Sequence, residues 1–107
     1  MSMEAALIWC PFPDEEQARA AIGALLDERL IACANVVPGM RSLFTWQGDR
    51  SCEQECGVLL KTTAERFAAA MDRLEQLHPY DTPAITAWPV MATAATRDWL
   101  GQETRVI

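Results

Sequence analysis

Apolar residues in this chain change period several times, and each change marks a new element. The run Ala5 to Cys10 (AALIWC) is short and continuously apolar, and Pro11 follows it. It predicts a buried first strand that closes at the proline. From Pro13 to Ala32 the period becomes helical: Ala18, Ile22, Leu25, Leu26 and Leu30 fall on one stripe and are expected to face the core. Glu16, Arg19 and Asp27 then face water. Asp14 stands where a helix cap is needed, with Gln17 three residues on as a capping-box partner.

The next stretch, CANVVPGMRSLFTWQGDR, reads as strand at Val36 and Val37, a bend or bulge at Pro38-Gly39, and strand again from Met40 to Trp46. QGDRS reads as a hairpin turn, and CEQECGVLLKTT as the returning strand. Leu43, Phe44 and Trp46 put apolar groups on both faces of the far half of this hairpin by the period-two rule. Such a hairpin is an aggregation hazard unless another chain covers it, so the pattern predicts an oligomer. TTAERFAAAMDRLEQLH reads as a second helix with a Thr62–Glu65 capping box and a buried stripe of Phe67, Ala70, Met71, Leu74 and Leu77. Pro79 ends it, because the residue before a proline avoids helical geometry. AITAWPV is expected to be a fourth strand, and TRDWLGQET a short last helix or turn that sets Trp99 and Leu100 against the body. The order βαββαβ predicts an α+β chain of ferredoxin-like type, an antiparallel sheet backed by two helices on one face, with a long extended hairpin.

Composition narrows the partners. The chain has 107 residues, which suits one domain spanning residues 1–107, and 50% of them are hydrophobic, a high share that again suggests a covered surface. The net charge of −6 argues against nucleic acid and against an anionic membrane surface, both of which reward clustered Lys and Arg. The N-terminal stretch lacks a basic flank and its apolar run stops at Cys10, so neither a signal peptide nor a membrane span is expected. The expected compartment is the cytoplasm, where Cys10, Cys33, Cys52 and Cys56 stay reduced.

The segments DERLIACANVVPG, SLFTWQG, LLKTT, HPYDTPAI and DWL, in this order and spacing, resemble the CutA family of divalent-cation tolerance proteins over roughly Ala5 to Leu100. The resemblance implies a ferredoxin-like fold assembled as a tight homotrimer with hairpins wrapping neighbouring subunits. It also implies binding of divalent metal, copper in particular. A fold of this kind is similar to that of the trimeric nitrogen-signalling regulators. Carried onto this chain, the implied metal donors are Cys10, at the end of the first strand, and His78 of the HPY motif. A third donor, a glutamate after the second proline, is replaced here by Ala84. Trp46, Lys61 and Tyr80 also match the family and are expected to line a cleft between subunits beside His78.

The residues themselves leave two readings of His78, the chain's single histidine. It can pack half-buried at the helix exit, near the C-terminal carbonyls that favour a cationic imidazole. It can instead serve with the Cys10 thiolate as a ligand for copper or zinc, soft or borderline ions that suit such donors. Cys33 is expected to be a packed core residue. Cys52 and Cys56 lie about 13 Å apart on an extended strand and cannot grip one ion. Lys61 would supply an anion-holding charge, which makes a small anionic ligand in the cleft the rival to a metal. That rival describes a trimeric signalling or scaffold module. No nucleophile, base and orienter stand together, nor does a glycine-rich phosphate loop, so catalysis is not expected.

Overall fold

The computed structural model of the protein describes residues 5–105. In chain order the elements are β1 (Ala5–Phe12), α1 (Glu15–Asp27), β2 (Cys33–Trp46), β3 (Asp49–Thr63), α2 (Phe67–Leu77), β4 (Thr86–Val90) and α3 (Ala94–Glu103). The four strands form one antiparallel sheet in the order β2-β3-β1-β4. Even-numbered side chains of β1 and β3 (Ile8, Cys10 and Phe12; Cys56, Val58 and Leu60) point to one face and pack with Ala18, Ala21 and Leu25 of α1 and Ala70 and Leu74 of α2. That face is the core.

β1 runs past the expected stop and includes Pro11. The proline is tolerated because β4 has already ended at the Trp9–Thr86 pair, so on that side no ladder is broken. At the start of α1 the Asp14 carboxylate accepts from the Gln17 backbone N–H at 2.8 Å, the expected cap. The Gln17 side-chain amide donates at 2.8 Å to the same carboxylate, in place of the bond with the Asp14 backbone N–H that a capping box would have. The helix is shorter than its apolar stripe. Arg29 adopts φ 58°, and the Leu30 and Arg29 N–H groups donate to the Leu25 and Leu26 carbonyls, a Schellman closure. Leu30 therefore packs on the core from the connection, not from the helix, and Leu26 is left exposed. An Arg in the left-handed region carries a strain that glycine avoids. Arg29→Gly is expected to stabilise the protein by about 0.5–1 kcal/mol, read as a higher urea midpoint. A lower midpoint would contradict this.

Thr62 and Glu65 do not form a capping box. β3 continues through Thr63, the buried Thr62 hydroxyl donates to the Leu30 carbonyl at 2.7 Å, and α2 begins only at Phe67. The predicted stripe of α2 does meet the core. In α3, Leu100 is buried and Arg66 Nε donates to the Thr104 carbonyl at 2.9 Å, whereas Trp99 stays exposed on one side.

The hairpin β2–β3 turns through Gln47 and Gly48, both with positive φ (52° and 87°), the geometry that matches strand twist in a two-residue loop. Register shifts between Val37 and Met40, at Pro38-Gly39, and pairing of β1 with β3 stops at Phe12–Cys56. Residues 40–46 and 49–55 therefore project as a two-stranded arm, about 20 Å long, beyond the body. The described residues span 44 × 29 × 22 Å.

Candidate functional site at the exit of the second helix

Pro79 forces His78 out of the helix into an extended conformation (φ −75°, ψ 139°) and turns its imidazole toward the end of β1. There the Tyr80 backbone N–H donates to Nδ1 at 3.1 Å, and Nε2 lies 2.8 Å from the Pro11 carbonyl oxygen. A backbone N–H can only donate, so Nδ1 is the acceptor and Nε2 carries the proton. The ring stacks on Phe12 (4.3 Å between centroids, 27°) and tilts against Tyr80 (4.8 Å). The Tyr80 hydroxyl in turn donates to Glu55 Oε2 at 2.7 Å. Both His78 and Glu55 are buried, at 7% exposure each. Cys10 is fully buried, and its thiol points at the same Pro11 carbonyl at 3.6 Å.

The electrostatics follow from this closure. Burial holds the His78 imidazole below its ordinary range, against opposing contributions from the Pro11 carbonyl and the Glu55 carboxylate. Burial first, and the Glu55 charge second, push the Cys10 thiol from 9.0 up to about 12. Burial and the Glu55 bond likewise raise the Tyr80 phenol. Below about pH 6.5 the unfolded chain takes up the His78 proton that the folded chain resists, so stability is expected to fall with pH there. Above about pH 9 the unfolded chain loses protons that folded Cys10 and Tyr80 keep, so stability is expected to fall as pH rises. Urea midpoints from pH 5 to 11 should trace this dome. A midpoint that holds level from pH 7 to 5.5 in the native protein would contradict the His78 limb.

Cys10 and His78 are thus brought together, but around a shared carbonyl oxygen and not around an open space. Both imidazole nitrogens are engaged, and the thiol keeps its proton. As folded, the pair does not fit an ion. Ala84, exposed before β4, adds no donor. Among the described residues, no group of three or more His, Cys, Asp or Glu side chains is arranged to hold a metal.

The other family-matched residues are spread along β3. Trp46 pairs with Asp49 at the arm tip, Tyr80 reaches Glu55 at the arm base, and Lys61 lies at the far end opposite Leu7 and Cys33. Each step is about 20 Å, so in a single chain the three do not converge. Cys33 is half-buried on the sheet face away from α1 and α2 and is not a core residue. All four cysteines are free, with Cys52 exposed on the arm and Cys56 in the core, as strand spacing requires. Glu55 is the participant that the sequence pattern does not single out. Its signal is a carboxylate at the entry of the apolar run ECGVLL, where a solvated acid is out of place.

Among the described residues no helix is long and apolar enough to cross a membrane. The family model described as CutA1 divalent ion tolerance protein matches residues 6–103. The divalent-cation tolerance protein CutA of Thermus thermophilus is 43% identical over 93 residues, covering 86% of this chain and 90% of that protein. The crystal structure of the divalent ion tolerance protein CutA1 from Ehrlichia chaffeensis superposes with a TM-score of 0.90 at 33% identity, over 98% of this chain and 100% of that one. A structure from Archaeoglobus fulgidus, described as a periplasmic divalent cation tolerance protein CutA, gives 0.89 at 30% identity over 94% and 99% of the two chains. Sequence and fold agree over nearly the whole length, and the chain belongs to the CutA1 divalent ion tolerance family.

Proposed function

We propose that this protein works in divalent-cation tolerance as a non-enzymatic homotrimer of ferredoxin-like chains in the cytoplasm, its arms closing on neighbouring copies. The observation that carries the reading is the projecting arm. Leu43 is 73% exposed on one face, and Phe44 and Trp46 are 40% and 52% exposed on the other. Apolar area of this kind on a two-stranded ribbon is stable when another chain covers it. Light scattering should give three times the chain mass at micromolar concentration, and a stable monomer would overturn the reading. The cation part, copper-type ions included, rests on the family match. Cys10 and His78 are the donors the resemblance implies, and their closure argues that ions are met elsewhere in the assembly. Titration of zinc or copper into the reduced protein is therefore expected to give equal binding in native, Cys10→Ala and His78→Ala forms. Binding lost in both variants would return the ion to that pair.

A second reading is favoured by the spread of Trp46, Tyr80 and Lys61, which can meet only across copies. It is a signalling or scaffold trimer with a small anionic ligand in the inter-subunit cleft. Thermal protection by inorganic phosphate or a dicarboxylate, with none from divalent ions, would decide for it.

A further inference from the structure

The side chains that crowd the exit of α2 also touch the root of the arm. Glu55 is the first residue of β3 beyond its pairing with β1, and it pairs with Met40, the first residue of β2 beyond the Pro38-Gly39 bulge. It is therefore the hinge between body and arm. Two hydrogen-bonded steps lead to it from the body: His78 Nε2–H to the Pro11 carbonyl, and the Tyr80 hydroxyl to Glu55 Oε2, joined by the Tyr80 N–H on His78 Nδ1. Phe12 and Tyr80 hold the imidazole by ring contact. We infer that His78 and Tyr80 form a strut that sets the direction of the hairpin arm through Glu55, and that His78 is a positioning residue in this chain and not a metal ligand.

The chemistry of the parts fits a strut. A phenol bonded to a carboxylate is a charge-assisted bond, short and directional, and here its carboxylate end is buried while the tyrosine is 39% exposed. The imidazole gives one donor and one acceptor in opposite directions, which lets it join the end of β1 to the backbone at Tyr80. An ion at either nitrogen would break one of the two links. The bulge interrupts ladder pairing at Pro38-Gly39 and bends β2 there, so the ladder alone does not fix the angle at which the arm leaves the body. The Tyr80 bond to Glu55 supplies a fixed point at that junction. The inference stands on contacts within one chain and requires that both His78 nitrogens stay engaged by Pro11 and Tyr80.

Hydrogen exchange on the whole 107-residue chain tests it. Tyr80→Phe removes only the hydroxyl and is expected to speed exchange of amides in residues 40–54 about tenfold, with α1 unchanged. Glu55→Gln keeps an acceptor for the phenol and should exchange nearly as the native protein does. A core variant, Leu74→Ala, serves as the control for general destabilisation and should speed α1 and arm alike. Arm exchange that is unaltered in Tyr80→Phe, or that rises equally in α1, would overturn the strut. Nitrogen NMR of His78 with zinc ion alone gives the second readout. The protonated Nε2 and acceptor Nδ1 should keep their shifts at one equivalent of zinc. A stoichiometric zinc-dependent shift of either nitrogen would overturn the positioning role.

Discussion

Phe12→Ala is expected to cost about 3–5 kcal/mol of stability, the upper range for truncating one core side chain. Phe12 is fully buried at the last position of β1, and it is the floor on which the His78 ring stacks. Truncation opens a cavity and also frees the imidazole whose two hydrogen bonds close the exit of α2. Phe12→Leu, which keeps most of the volume but no aromatic face, separates these contributions and should lose clearly less. Urea unfolding at fixed chain concentration is the measurement, since an oligomer's midpoint moves with concentration. A loss below about 1 kcal/mol for the alanine variant would mean that the floor is dispensable.

Gly57→Ala is the second large effect. A Cβ at Gly57 would stand 2.5 Å from Cη2 of Trp9 and 3.1 Å from Sδ of Met40. The Trp9 indole lies over Gly57 on the sheet face opposite α1 and α2, where residue 57 presents no side chain. Inserting a methyl must displace the ring, and overpacking of this kind costs about 1–3 kcal/mol. The displaced indole should also change its emission. Trp9→Leu combined with Gly57→Ala should recover part of the loss, because the shorter side chain leaves room for the methyl. If the double variant is merely the sum of the singles, the clash is not the cause.

The hydrophobic period makes most of this fold legible. The stripe of α2, the first part of that of α1 (Ala18, Ile22 and Leu25), the stop at Pro79, the bulge at Pro38-Gly39 and a turn beginning at Gln47 all follow from local rules that act within a few residues. What local rules miss depends on partners distant in sequence. Thr62 has the spacing of a helix cap because of its neighbour Glu65, but the Leu30 carbonyl, from another connection, takes its hydroxyl. Pro11 has the character of a strand end because a proline cannot donate to a ladder, and only the early finish of β4 makes it harmless. The site shows the same division. That His78 leaves the helix is readable from Pro79. That both its nitrogens are taken is not, since one partner is a carbonyl 67 residues earlier. Glu55 stays hidden for a related reason: its role depends on a tyrosine brought back from beyond α2.

The strand order β2-β3-β1-β4 has a consequence for the newly made chain. β1 is synthesised first, yet its neighbours on both sides are β3 and β4, which end at Thr63 and Val90. The β2–β3 hairpin can pair as soon as it is made, because its strands are contiguous and its turn is short. β1 cannot. Its apolar residues must wait uncovered until β3 arrives, and its second edge until the last strand is complete. An interrupted chain that stops before residue 86 would therefore carry an open edge along Ala5–Trp9, ready to pair with another unfinished copy.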